Sequence, residues 1–529
     1  MQFYKSKWNV NDYNLGQSGV EFACADVDLK NVFDDCERYC LENQKEFGDY
    51  RVLIEGAKYN GVWLETQPLG GEMYAKRDLR IALANILIFL RHQRQDGKLP
   101  GMISQRNAWL SVAVHYDWMQ GCFLPYAALK LYYLIGKDRT YLEMLYRCLR
   151  NFDDYLWSCR DSNGDGCLET WCIWDTGEDN CTVHMLHGLK QPDHGAWGKD
   201  VPPADRAPFP YKSPQYMGYS FSVRQVLAQI SEILDNGEAA SWNRKALEVQ
   251  QRARERLWDE QRHAFFQRDA SGEFVYALTQ ENIKCMYCGL MTQEMADQFV
   301  REHLFFEEEF WTPYPFPSIA ANDPYFHVNE ECSNCADRLR EKGTAVHDLD
   351  DNSWSGPLSG LTWQRSIDAL LNYGYHAETV RVGKRILELL KTHRHYVQNY
   401  HPFTGVPAKG ENGYGPTMLA ALEYISFLCG VNIQYDRIYW SAAEDMGEFC
   451  YTQTLYDKRF QLESDGKCLR ASINDECIFS ASVGVRIVTD IEGKLLMAYG
   501  IGENAMAFSC MYGDQTVACE LCPNQQYTF

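Results

Sequence analysis

Positive charge is what this chain is short of. Fifty-one Lys and Arg stand against 72 Asp and Glu in 529 residues, a net charge of -21 at pH 7, with the acids spread along the chain. That balance repels phosphate backbones and anionic headgroups, which argues against nucleic acid or a membrane surface as partner. No stretch approaches the roughly 20 apolar residues needed to span a bilayer. The opening Met1-Gln-Phe-Tyr-Lys-Ser-Lys-Trp8 has no apolar h-region, so a cytoplasmic location is expected. Also missing are G-x-S-x-G, a Walker loop, a G-x-G-x-x-G after a strand, and H-E-x-x-H. Serine-hydrolase, nucleotide and zincin chemistry therefore have no support.

Aromatic residues are plentiful: 14% of the chain, with 14 Trp and 33 Tyr. Rings with a polar tip suit cores and sugar-binding clefts alike. The 20 cysteines are irregularly spaced and often lie within apolar runs, which reads as reduced core packing. Of the three C-x-x-C pairs, Cys285/Cys288 and Cys332/Cys335 could together make a four-thiolate zinc site. The i,i+3 spacing of the first pair on a helical stretch is equally that of ordinary core.

From about 28 to 430 the apolar period is helical. Residues 78–93 are apolar nearly all round, as an enclosed helix should be. Residues 242–257 carry one narrow stripe, Trp242, Ala246, Val249, Ala253 and Leu257, as an outer helix should. Similar segments recur near 30–46, 122–136, 140–157, 220–234, 293–304, 360–374, 377–391 and 415–429. Inner helices alternating with outer ones predict a toroid of helical hairpins, joined by long loops rich in Pro, Gly and aromatics. After about 435 the period becomes two, with turns at Asp465-Gly466 and Asp490-Ile-Glu-Gly493. We therefore expect a helical domain over 1–434, including an N-terminal extension, and an antiparallel β-sandwich-like domain over 435–529.

The densest polar constellation spans 161–180. Asp161, Asn163, Asp165 and Gly166 fit the first half of a calcium loop, but its twelfth position is Cys172, so an EF-hand is excluded. A turn stabilised by Asx side chains and a structural calcium completed by a distant carboxylate both remain. Next come Trp171 and Trp174, then Asp175-Thr-Gly-Glu178-Asp179-Asn180. An acid beside tryptophans can sit in a partly apolar pocket that keeps it protonated near neutrality; a solvated loop with Trp anchors is the plainer alternative.

At this point the chain resembles a family. Trp174-Asp-Thr-Gly-Glu-Asp179-Asn is similar to the W-E-S-G-x-D-N/F loop of glycoside hydrolase family 63 and the related trehalases, where the Asp is the general acid. Asp161-Ser-Asn-Gly-Asp-Gly166 stands where they carry R-D-x-D-G-D-G, which binds calcium in some members. Phe316-Pro-Ser-Ile-Ala-Ala-Asn-Asp-Pro324, Ser353-Trp-Ser-Gly-Pro357, Tyr400-His-Pro-Phe-Thr-Gly405 and Gly413-Tyr-Gly415 resemble their later motifs in the same order. The resemblance implies a mainly α protein, an (α/α)6 toroid with the small β domain appended. It further implies an inverting α-glycosidase that needs no cofactor, structural calcium aside, with a small α-glucoside or oligosaccharide as partner. Asp161, Asn163 and Asp165 are then the candidate calcium ligands.

Three departures matter. The Arg of Y-W-R-G-P is Ser355, and the N-terminal W-x-R-D segment has Trp63-Leu-Glu-Thr-Gln67 in its place. Where the family has its general base, two residues before Tyr400, this chain has Gln398. A neutral amide cannot deprotonate water, and inversion needs two carboxyls. Either another carboxylate such as Glu411 takes over, or the protein is not a hydrolase, or the Gln is an isosteric trap. The catalytic candidates are thus Asp179, Gln398 and Glu411. Trp63, Trp174, Trp311, Trp354 and Tyr400 are candidates to stack on sugar rings. Glu65, Gln67, Arg77, Asp351, Gly356 and Gln364 are candidates to bind hydroxyls. Asp78, beside Arg77, can equally favour a helix start. The alternatives in function are an α-L-rhamnosidase-like hydrolase and a non-catalytic carbohydrate-binding protein that lost its base.

Overall fold

The computed structural model describes residues 7–106, 111–172, 174–178, 181, 209–330 and 354–529. Among them are twelve α-helices, which alternate along the chain between two kinds. They are α1 (Val27–Glu42), α2 (Gln67–Tyr74), α3 (Leu79–Arg91), α4 (Leu124–Leu134), α5 (Arg139–Cys159) and α6 (Pro214–Leu234), followed by α7 (Ala239–Leu257), α8 (Glu281–Tyr287), α9 (Gln293–Phe299), α10 (Gly360–Leu371), α11 (His376–His393) and α12 (Gly415–Cys429).

The even-numbered helices are enclosed: every residue of α2, α8 and α12 is buried. They touch one another in ring order, α2 to α4, α6, α8, α10, α12 and back to α2. Most odd-numbered helices bury a single stripe. In α7 that stripe is Trp242, Ala246, Val249, Ala253 and Leu257, with exposed polar residues on the opposite face. The exception is α3, whose residues Ile81–Leu90 are all buried. Asp78 starts α3 by accepting hydrogen bonds from the backbone of Arg80 and Ile81 at 2.8 and 3.3 Å. Two inner helices, α8 and α2, fall outside the periodic segments; in α2, Pro68, Gly70 and Gly71 dilute the pattern. Helix α2 is held by packing, since a Cβ on Gly71 would come within 2.6 Å of Asn85 on α3.

A β-sandwich follows. Its strands are β1 (Ser18–Cys24), β2 (Gly430–Gln434), β3 (Arg437–Ala442), β4 (Glu448–Leu455), β5 (Lys458–Asp465) and β6 (Cys468–Ile473), then β7 (Glu476–Ser482), β8 (Val485–Asp490), β9 (Leu495–Gly500), β10 (Met506–Tyr512), β11 (Gln515–Leu521) and β12 (Gln526–Thr528). One sheet runs β2-β3-β8-β9-β12 and the other β1-β4-β5-β6-β7-β10-β11. The expected boundary near 434 differs in two ways. The first strand, β2, begins at Gly430 directly after α12, and β1 comes from the N-terminal extension, antiparallel to β4 with Ser18 opposite Leu455. No described helix is long and apolar enough to cross a membrane.

Candidate active site

The N-terminal ends of the inner helices carry a buried polar floor. At its centre is Lys284 on α8, whose side chain is fully enclosed. Its ammonium lies 2.7 Å from Glu178 and 3.6 Å from Glu65, and donates to the Thr176 carbonyl at 3.1 Å and to Gln215 Oε1 at 3.2 Å. Glu65 also receives Arg365 of α10 at 2.8 Å, and Glu178 receives the amides of Gln215 and Gln280. Two carboxylates and two cations are thus taken out of water together, which is sustainable because one oxygen of each carboxylate, Oε1, gathers the charged and amide donors. The next inner-helix residue, Glu281, has no cation of its own. Burial and then the charge of Glu178 push its carboxyl up to about 7, against hydrogen bonds from Gln267 and the Gln215 backbone.

This floor supports the loop 174–178. Gly177 (φ +74) rests on Glu65, where a Cβ would come within 1.9 Å of a carboxylate oxygen. Asp175 anchors the other side: Arg160 donates to it at 2.6 Å, and the backbone of Trp171 and of Met119 at 2.8 and 3.1 Å. Burial would raise the Asp175 carboxyl, but the Arg160 charge and these donors outweigh it and hold it below the usual carboxylate value. Asp179, Asn180 and Asp351 lie outside the described residues.

Around the loop stand rings. Trp174 lies 6.1 Å from Trp118, which lies 6.5 Å from Trp63. The same apolar cluster contains Trp354 and Tyr414, with Tyr59 packed on it, and the Lys284 ammonium sits 5.8 Å over the Trp354 ring. Gln398 joins this group through Tyr59, whose hydroxyl donates to the amide oxygen at 2.7 Å. Gln67 turns its amide oxygen to the Trp63 backbone at 2.6 Å and so shapes the loop. Gln364 is buried, with neither amide atom paired among the described residues. Gly356 permits a close approach, since a Cβ there would meet the His327 carbonyl at 2.2 Å.

Other expected contacts are engaged elsewhere. Arg77 pairs with Glu37 of α1 at 2.7 Å. Trp311 packs on Phe305 at 4.6 Å, beneath the Arg385 guanidinium of outer helix α11. Tyr400 is fully buried, donates to the His395 carbonyl at 2.6 Å and stacks on Trp363. Glu411 is exposed. The donors proposed for calcium do not fit the ion, because they hold a cation of the chain's own. The Lys212 ammonium lies 2.6 Å from Asn163, 3.0 Å from Asp165 and 2.8 Å from Glu169, while Asp161 accepts from the Gly166 backbone. Among the described residues no group of three or more His, Cys, Asp or Glu is placed to hold a metal. Cys285 and Cys288 are buried core, and Cys332 and Cys335 lie outside the described residues.

Lys284, Arg365, Gln215, Gln280 and Tyr59 belong to the site although no sequence motif points to them. Two of them carried a signal: Lys284 interrupts Ile283-Lys-Cys-Met286, and Arg365 sits between Trp363 and Ile367. A charge inside an apolar helix must find a partner.

Among solved structures, the GH63 mannosylglycerate hydrolase from Thermus thermophilus, in complex with glucose, is 18% identical with a TM-score of 0.58; the match covers 74% of this chain and 99% of that one. A sialidase matches at 15% identity and TM-score 0.64 over 90% of this chain and 43% of its own. The α-L-rhamnosidase from Dictyoglumus thermophilum matches at 11% and 0.52 over 97% and 50%. At these identities the likeness is one of fold. No curated protein sequence matches the chain. The model of the mannosylglycerate hydrolase MGH1-like glycoside hydrolase domain matches residues 72–415, and the chain belongs to that family of glycoside hydrolases.

Proposed function

We propose that this protein is an inverting α-glycosidase for a small α-glucoside or oligosaccharide, built on an (α/α)6 toroid and working in the cytoplasm. Asp179 is the general acid that protonates the leaving oxygen. Position 398, Gln here where the family has Glu, is the place of the general base; a carboxylate there would activate the water that attacks from the opposite face of the sugar. Inversion leaves roughly 6.5–9.5 Å between the two carboxyls for that water. Surrounding carboxylates and rings stabilise the oxocarbenium-like charge without a covalent intermediate.

The observation that carries this reading is the Tyr59–Gln398 hydrogen bond at the cluster that holds Trp174. A glutamate at 398 would accept from Tyr59 with the same geometry, which supports reading position 398 as the place of the base, held here by the isosteric amide. The family adds a substrate class to try first: a hexose α-linked to a small hydroxy acid, as in mannosylglycerate.

The experiment is a turnover assay of wild type and Gln398→Glu on mannosylglycerate and short α-glucosides, with the product anomer followed by NMR. Gln398→Glu is expected to gain about 10²–10⁴-fold, the usual share of a general base, and to release the β-anomer first. Release of the α-anomer would contradict inversion. Binding by calorimetry without turnover in either form would favour the second reading, which Gln398 itself motivates: a carbohydrate-binding protein that lost its base.

A further inference from the structure

The opposite end of the helical ring holds a cavity. Its walls are residues of α4, α6, α7, α8 and α10 on one side and of strands β2, β3, β8 and β9 on the other, and its volume is about 660 Å³. That is within the size range of small-molecule sites. It opens beside Leu247 of α7, which is 58% exposed.

Its chemistry is set by Arg486 of β8, a residue only 3% exposed. The guanidinium lies between two rings, 4.4 Å from Phe427 and 4.5 Å from Tyr439. Its Nε and Nη1 meet no hydrogen-bond acceptor among the described residues. The only carboxylate on the wall among the described residues is Asp368, and Lys130 takes it at 2.6 Å. Deeper in, Glu423 is taken by Lys76 at 2.6 Å, and burial pushes Glu72 up to about 7. His376 adds no charge: burial, with Arg486 beside it, lowers it to about 3. Lys130 and Lys76 thus each hold a carboxylate at 2.6 Å, whereas Nε and Nη1 of Arg486 hold none among the described residues. A buried guanidinium with unmet donors is costly unless an anion meets it. Beside the apolar Phe221, Leu247 and Leu371, the wall carries phenols and amides, Tyr126, Tyr499, Gln225 and Gln229 among them, which suit a hydroxylated body.

We propose that this cavity is a binding site for a small hydroxylated anion, a sugar acid or a sugar phosphate, held through Arg486. Arg486, Tyr439 and Tyr499 lie beyond residues 72–415, where the family model matches, so the anion-facing wall comes from outside the matched domain, and the proposal does not depend on the activity proposed above.

Thermal-shift and calorimetric titrations test it on the whole chain, with glucuronate, glucose 6-phosphate, inorganic phosphate and neutral glucose as probes. One or both sugar anions are expected to bind and glucose not. Glucuronate against glucose 6-phosphate separates carboxylate from phosphoryl recognition. Arg486→Met should weaken binding at least about tenfold, the range of a charged hydrogen bond. It should leave the unliganded melting temperature unchanged or higher, which removal of a merely structural arginine would not. Gln225→Trp, which fills the cavity from α6, should also abolish binding, while Trp63→Ala in the cleft should not. Equal binding by Arg486→Met and Gln225→Trp, binding lost in Trp63→Ala, or no binding of any anion would each overturn the proposal.

Discussion

Lys284 ties the floor to the loop that precedes Asp179: one ammonium faces Glu178, Glu65, the Thr176 carbonyl and Gln215. Lys284→Met keeps the volume and leaves Glu178 with only amide donors. Breaking a buried pair from one side typically costs about 3–5 kcal/mol, so the urea midpoint should fall accordingly, and activity in a Gln398→Glu background should fall with it. Glu281 makes the opposite case, because its folded value of about 7 exceeds its ordinary 4.5. Between those pH values the unfolded chain holds fewer protons at this site than the folded one. Stability therefore falls as pH rises through that window, by up to ~3 kcal/mol. Glu281→Gln keeps an acceptor for Gln267 and Gln215 and removes the titration. Its melting temperature should match wild type near pH 4.5 and exceed it increasingly toward pH 8; an equal offset at both ends would rule out the raised carboxyl.

The helices themselves were largely legible, because burial on one face or on all faces is written in apolar spacing; α7 keeps its five-residue stripe position for position. Helix contacts between distant segments were not. Gly360 opens α10 and donates to the Gln398 carbonyl at 2.9 Å. A Cβ there would lie 1.9 Å from the Thr417 hydroxyl and 2.9 Å from its Cα on α12. Since the conflict includes backbone, Gly360→Ala must separate α10 from α12. Overpacking of this kind costs about 1–3 kcal/mol, and here the shift falls on the segment bearing Gln398. The expected result is a lower melting temperature together with weaker sugar binding. Restored binding in Gly360→Ala/Thr417→Ser, which removes only a methyl, would show that the backbone is not the obstacle. Of the candidate site, the motifs named the segments that carry Trp174, Trp354 and Gln398, whereas the neighbours of Arg77, Trp311 and Tyr400 could not be read from residue type. Which side of a ring a Trp or Arg faces depends on the helix it meets.

At the scale of the molecule, the β part is not a pendant domain. It starts where α12 ends, and Asn524 reaches back to the Ala377 backbone at 2.7 Å and to Glu378 at 2.7 Å. Its outer sheet is closed by β1, more than 400 residues upstream of β4. Strand pairing at that separation leaves no local signal, since Ser18–Cys24 alternates only weakly and its partner cannot be named from spacing. The pairing is nonetheless consequential. Phe22 is buried, 5.2 Å from Phe33 of α1 and 6.1 Å from Tyr451 of β4, so β1 couples the sheet to the helical ring. Removing the chain before Asp26 would strip that ring contact and leave the backbone donors and acceptors of β4 unpaired along an open edge. Such edges recruit other strands, and loss of a buried Phe alone costs about 3–5 kcal/mol. The truncated chain should unfold at lower urea and elute earlier on size exclusion, increasingly so at higher concentration. Phe22→Ala separates the two effects: it should show the stability loss and keep the wild-type elution volume, because its backbone still covers β4. Truncation with unchanged elution and midpoint would mean that β1 is dispensable to the sandwich.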